Sequence, residues 1–238
     1  MESGKQLLMT MTGEMHQPVR LYYEVSDQAA VLQAFTKLRC LDEDQDNHRW
    51  VWLYQGEAKK LKFHKSYSTI PRQMRPIILG AFRFPSAQDM MLDVRSWERA
   101  TQAVVFFDQY LKRSIARVTH AAIVNRLFPY TTDGLPVLED LFAQVTTIDG
   151  EAILRSMVAS LQSIQDPAQR RDMAFTLMEQ QSHERLPEVE KLPVHFYTDG
   201  ITSLENALRL RQIVAFEHWR GHTACTLGEV IQKVSAGL

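Results

Sequence analysis

The chain has 238 residues, with 27 Lys and Arg against 28 Asp and Glu, 45% apolar residues and 9% aromatic ones. That composition excludes a disordered chain, a collagen-like repeat and a disulfide scaffold, since apolar residues are plentiful, charge is mixed, and Cys40 and Cys225 stand far apart in no paired motif. A chain of this length buries roughly 70% or more of its unfolded surface and needs neither metal nor disulfide to fold.

Residues 7–12 and 19–25 read as strands around Gly13 and Pro18, the second carrying Leu21, Tyr22, Tyr23 and Val25. Ser26-Asp27 offers an N-cap. Ala30, Val31, Ala34, Phe35, Leu38 and Leu41 then recur at spacings of three and four, which predicts an amphipathic helix over 28–41, ended by the polar stretch 42–48. In 49–55, Trp50, Trp52 and Tyr54 share one strand face, and 59–65 alternates Leu61 and Phe63 with lysines. The pattern predicts a hairpin turning at 55–57. After a bend at 71–76, residues 77–84 and 90–94 read as strands. Ser96 caps a helix over 97–115 with Val104, Phe107 and Leu111 on its inner face, and a strand over 118–128 follows.

Strand, helix, strand thus occurs twice, and a shift of 69 residues sets Glu24-Val25 on Asp93-Val94 and Gln33-Ala34 on Gln102-Ala103. Residues 1–128 are therefore expected to form a ferredoxin-like α+β sandwich of duplicated βαβ type. Pro129 and the run 131–134 break that pattern. Residues 129–238 are expected to form a mainly α-helical domain, with helices over 135–145, 150–164, 167–184 and 203–220, an extended connector over 187–199 and a terminal helix over 227–234. Asp149, Asp166-Pro167, Ser203 and the pair Thr226 and Glu229 mark their starts.

Charge is distributed unevenly: residues 1–130 hold 18 Lys and Arg against 13 Asp and Glu (net +5), and residues 131–238 hold 9 against 15 (net −6). No acid occurs between Glu57 and Asp89, where Lys59, Lys60, Lys62, Lys65, Arg72, Arg75 and Arg83 alternate with Phe63, Tyr67, Phe82 and Phe84. Such cations neutralise phosphates or carboxylates, and aromatics on a sheet face stack unpaired bases, a platform that Trp50 and Trp52 would extend. The bland counterpart is that the phenylalanines are core and the lysines guard an edge strand.

Other chemistry is sparser. His218 and His222 stand four apart, the spacing that puts two imidazoles on one helical face, but no third ligand follows and a polar helix end is the better reading. Cys225 near His222 lacks an orienting group and an oxyanion site. The acids Asp42, Glu43, Asp44 and Asp46 lack the glycine and terminal Glu of a calcium loop. No GxxxxGK[ST], GxGxxG or GxSxG string is present. The resulting expectation is a non-catalytic interaction or assembly protein that presents a basic, aromatic-interleaved surface to an acidic protein or to nucleic acid, with no cofactor and no metal. An enzyme using His218, His222 and Cys225 is the alternative. A basic-then-apolar leader is missing from the first thirty residues, and no apolar run approaches the roughly 20 residues that cross a bilayer, so a cytoplasmic protein without membrane contact is expected.

Overall fold

The computed structural model describes residues 6–131, 134 and 136–236. It is a mixed α+β structure with eight strands and eight α-helices in the described residues. In chain order they are β1 (Val19–Val25), α1 (Gln28–Phe35), β2 (Leu41–Asp44), β3 (Arg49–Leu53), β4 (Ile78–Arg83), β5 (Asp89–Val94), α2 (Trp97–Asp108), β6 (Ala116–Val124), α3 (Leu138–Leu141), β7 (Thr146–Thr147), α4 (Gly150–Leu161), α5 (Pro167–Ser182), β8 (Val189–Pro193), α6 (Phe196–Asp199), α7 (Ile201–Trp219) and α8 (Leu227–Ala236).

All eight strands form one sheet in the order β2-β3-β4-β5-β1-β6-β8-β7. Every pairing is antiparallel except that of β7 with β8. Because β5 and β6 both run antiparallel to β1, which lies between them, they are parallel to each other, and α2 makes the crossover of a split β-α-β unit. The sheet also crosses residue 128, since β8, inside the expected 187–199 connector, pairs with β6 from His120↔Pro193 to Val124↔Val189.

One face of the sheet carries Leu21, Tyr23, Trp52, Phe82, Met90 and Leu92 into a core with Phe35 of α1 and Phe106 and Phe107 of α2. The local signals for these elements act as anticipated. Asp27 accepts from Ala30 N at 2.9 Å and Ser96 from Arg99 N at 3.2 Å, so both helices open on a side-chain cap. Gly80 lets β4 and β5 approach closely, since a Cβ there would stand 2.6 Å from Asp93 O. The opposite face carries Arg20, Tyr22, Asp93 and Arg83. Over part of it lies a smaller cluster of Ala122, Val124, Phe128, Phe142 and Val189.

Several expectations need correction: the helix expected over 97–115 ends at Asp108, that over 135–145 is only Leu138–Leu141, and that expected from Ser203 begins at Ile201. Residues 7–12 form only isolated bridges, Leu7↔Pro129 and Met9↔Met15. The helix expected over 28–41 stops at Phe35, because residues 41–44 are drawn into the sheet as β2 beside β3. Finally, 59–65 is not a strand: β3 is already bonded to β2 on one edge and to β4 on the other, which leaves no edge for a third partner. The chain instead takes a 3-10 turn over Gly56–Lys60 and leaves the sheet until β4 begins.

Candidate basic interface

Residues 59–76 are an excursion between β3 and β4, with further 3-10 turns at Tyr67–Thr69 and Arg72–Met74. Its seat is aromatic and polar at once. Leu61 and Ile70 are buried, and the Tyr54 hydroxyl donates to Leu61 O at 2.9 Å and accepts from Tyr67 N at 3.0 Å. Phe63 and Tyr67 meet the Tyr54 ring edge-on, with centroids 5.3 and 5.4 Å away. A second tie runs to the turn at residues 10–14. Lys65 N donates to Thr12 O at 2.7 Å, and Gly13, at φ +95°, comes so close that a Cβ would lie 3.0 Å from His64 Cβ.

On this frame Lys59, Lys60, Lys62, Lys65 and Arg72 are exposed and Arg75 is half-buried. None of the six makes an ion pair with a carboxylate in the described residues. Lys59 Nζ and Arg75 Cζ lie 4.8 and 4.3 Å from the Tyr67 ring centre, and Lys60 Nζ donates to Gln109 Oε1 at 3.0 Å. Between the excursion and the 10–14 turn is a cleft of about 670 Å³ walled by Met11, Phe63, His64, Lys65, Ile70 and Met74. Met11 and Met74 are 45% and 47% exposed, so its mouth is apolar, and of the six cations Lys65 alone lines it.

Three of the residues grouped with this surface in the sequence lie elsewhere. Arg83 projects from the far face of the sheet, where it pairs with Glu139 and with Asp93 at 3.3 Å. Asp93 also holds Arg20 in a two-pronged contact at 2.6 and 2.9 Å. Trp52 is fully buried against Phe106 and Phe107, and Trp50 is 9% exposed beside Phe35. Neither indole offers a face to a base, because the shared strand face that groups them is the one turned to the core.

Beneath the cleft lies a network that the sequence did not announce. Glu14 is fully buried and Arg99 nearly so, with Arg99 Nε 3.6 Å from Glu14 Oε2. Arg99 Nη2 donates to Thr12 Oγ1 at 2.6 Å, and Thr12 Oγ1 donates to Glu14 Oε2 at 2.6 Å. Thr10 Oγ1 donates to the same oxygen, and Arg99 Nη1 reaches Ile78 O and Leu79 O at 3.2 Å. The network therefore ties the 10–14 turn to α2 and to β4. Burial lowers the Arg99 guanidinium to about 10, still charged at neutral pH, and raises the Glu98 carboxyl beside it. Burial, with Arg95 and Arg99 nearby, pushes His16 down to about 4, so it is neutral at pH 7. A charged residue among the small inner-face residues Ala100 and Ala103 of α2 is the one signal that could have exposed Arg99.

The C-terminal histidines do not share a helical face. Gly221, at φ +97°, ends α7. Gly221 N donates to His218 O and His222 N to Glu217 O, both at 3.0 Å, a Schellman closure that sets His222 outside the helix. His222 Nδ1 then meets Glu217 Oε2 at 2.7 Å, and His218 Nε2 donates to Cys225 O at 2.7 Å. Burial raises the Cys225 thiol, which favours the protonated, weakly nucleophilic form. No group of three or more His, Cys, Asp or Glu in the described residues is placed to hold a metal. The acids at 42–46 serve the fold, Asp44 accepting from Asn47 N at 3.3 Å and from Arg49 Nε at 2.7 Å. No described helix is long and apolar enough to cross a membrane. Comparison with protein-family models, with curated proteins and with solved structures gives no match.

Proposed function

We propose that this chain is a non-catalytic interaction or assembly protein, and that the 59–76 excursion receives an acidic peptide segment carrying an apolar side chain. The observation that carries the reading is a set of six cations on one excursion, without a carboxylate partner in the described residues, one of which, Lys65, walls a cleft with Met11 and Met74 at its mouth. Like charges held together without compensation repel, and an anionic partner relieves that repulsion while the apolar mouth supplies contact area. Methionine suits such a mouth because its unbranched side chain repacks around different occupants. An acidic protein is favoured over nucleic acid because the rings that would stack bases are occupied: Phe63 and Tyr67 face Tyr54, and Trp50 and Trp52 are core.

The split β-α-β unit supports a ferredoxin-like reading of the first half, with the helices after residue 129 as an added layer. Cys40 and Cys225 are unpaired and buried, which supports a reducing, cytoplasmic setting.

The test is fluorescence anisotropy with two probes, a peptide of alternating Glu and Leu and a single-stranded oligonucleotide of equal charge. Changing Lys59, Lys60, Lys62 and Lys65 together to Glu should abolish peptide binding while each exposed change moves stability by only about 0.5 kcal/mol. Met11→Asp with Met74→Asp should weaken the peptide and spare any residual oligonucleotide binding. If the oligonucleotide binds more tightly, with a salt slope that flattens by about 0.7 per lost contact, the partner is nucleic acid. If the quadruple change alters neither probe, the lysines are only a solvated guard.

A further inference from the structure

The helical hairpin of α4 and α5 carries an apolar face that the rest of the chain leaves open. The two helices pack on each other and are joined by residues 162–166 alone, so they run antiparallel. Their half-buried apolar positions, Ile153, Met157 and Leu161 of α4 and Ala174 and Leu177 of α5, recur at spacings of three and four and mark the inner stripe of each helix. Neither helix has a fully buried side chain in the described residues.

Beyond that stripe stand four large apolar side chains. Leu154 and Val158 are 57% and 48% exposed, and Phe175 and Met178 are 64% and 54% exposed. At about 100° per residue, each pair lies about 90° round its helix from the inner stripe, in the same rotational sense. Between antiparallel neighbours that common sense points to one side of the hairpin, so all four share a face. Single exposed apolar residues are ordinary, but a set gathered on one face marks a contact surface.

Charge identifies what covers it. Arg171 and Glu179 stand four residues before and four after Phe175, each about 40° to one side of it around α5. Both are exposed. In the described residues Arg171 meets only the adjacent Asp172, at 3.9 Å, and Glu179 makes no ion pair. They are about 12 Å apart along the helix, too far to pair with each other. A second α5 laid antiparallel across the first at Phe175 sets each Arg171 opposite the other copy's Glu179. One surface thus supplies both halves of two ion pairs, the self-complementarity that a two-fold contact requires.

We propose that the α4–α5 face binds a second copy of this chain, α5 on α5 and α4 on α4, about a two-fold axis at Phe175. The 16 residues of α5 span about 24 Å and two helices are about 20 Å wide, so each copy contributes about 500 Å². The total of about 1,000 Å² is at the lower limit of a specific interface, which makes the dimer reversible. This face is separate from the basic excursion and does not rest on the reading above.

The test is sedimentation equilibrium of the full chain from about 1 to 300 μM. Wild type should pass from monomer to dimer with a dissociation constant of about 1–100 μM. Phe175→Asp with Met178→Asp should stay monomeric with an unchanged circular dichroism spectrum, since both positions are exposed. Arg171→Glu and Glu179→Arg should each weaken the dimer about tenfold, because each sets like charges face to face twice. Mixing these two single variants should restore dimerisation, as a heterodimer in which both contacts join opposite charges. A folding defect cannot produce that rescue. A monomer throughout, a dimer that survives the two aspartates, or single variants no better mixed than alone would each overturn the proposal. A monomer that instead sediments with phosphatidylserine vesicles would overturn it in favour of a lipid surface. The lysine-to-glutamate protein should dimerise as wild type does, and the aspartate variant should bind the acidic peptide normally, so the two readings fail separately.

Discussion

Replacing His16 with Phe should flatten the dependence of stability on pH between about pH 4 and 6.5. His16 is 3% exposed, its ring meets Phe128 edge-on at 5.5 Å, and burial beside Arg95 and Arg99 lowers its pKa from 6.5 to about 4. Below pH 6.5 the unfolded chain takes up a proton that the folded chain refuses. The stability associated with neutral His16 is therefore complete above 6.5 and is lost as pH falls toward 4. At about 1.36 kcal/mol per pKa unit, this shift amounts to about 3 kcal/mol in full, and about 2.5 kcal/mol by pH ~4.5. Glu98 works in the opposite sense: its carboxyl is raised by burial, so the folded chain retains that proton and gains stability as pH falls. The measurement must therefore be the difference between two proteins. Urea unfolding of each by circular dichroism at about pH 7.5 and about pH 4.5 cancels the Glu98 contribution, and the larger ring adds a pH-independent cost of about 1–3 kcal/mol. Wild type should lose about 2.5 kcal/mol more than His16→Phe over that interval. Equal losses would show that His16 titrates normally and that the buried network does not exclude its proton.

Two further outcomes follow from the same contacts. Gly13→Ala forces a left-handed residue to carry a Cβ 3.0 Å from His64 Cβ, so it should cost about 1–3 kcal/mol in urea unfolding and weaken acidic-peptide binding by unseating residue 65; a neutral result would mean the excursion does not rest on this turn. Glu190→Gln leaves the Arg211 charge buried without its counterion and should cost about 3–5 kcal/mol, whereas a loss under about 1 kcal/mol would show that solvent reaches the pair.

Local elements were legible where a short-range signal coincided with a deep core. Alternation placed β1 and β3, and the caps at Asp27 and Ser96 opened α1 and α2 where the capping residues stand. Asp149 and Asp166 likewise open α4 and α5. Six of the seven cations of the acid-free run stand on one loop instead of a strand. What local pattern could not decide was pairing. Lys59–Lys65 alternates like a strand but finds both edges of β3 taken, and Asp42–Asp44, which reads as a polar stretch after a helix ending at Leu41, joins Leu41 in β2 because β3 offers an edge. Facing was equally hidden: alternation groups Trp50 with Trp52 without saying whether their shared face meets water or Phe35, Phe106 and Phe107.

By itself the sequence determined that the chain folds around a large apolar core, that it mixes strands and helices, and that seven of its 27 Lys and Arg stand in one acid-free run, because those properties depend on composition and near-neighbour spacing. Only the tertiary structure decided which polar groups are buried together. Arg99 meets Glu14 across 85 positions, Arg20 meets Asp93 across 73 and Asn125 meets Glu190 across 65, and no local period encodes contacts so distant in the chain. A charged residue within an apolar stripe, as Arg99 is in α2 and Arg211 in α7, announces only that a partner must exist, since a lone buried charge is too costly to keep; the fold supplies which one.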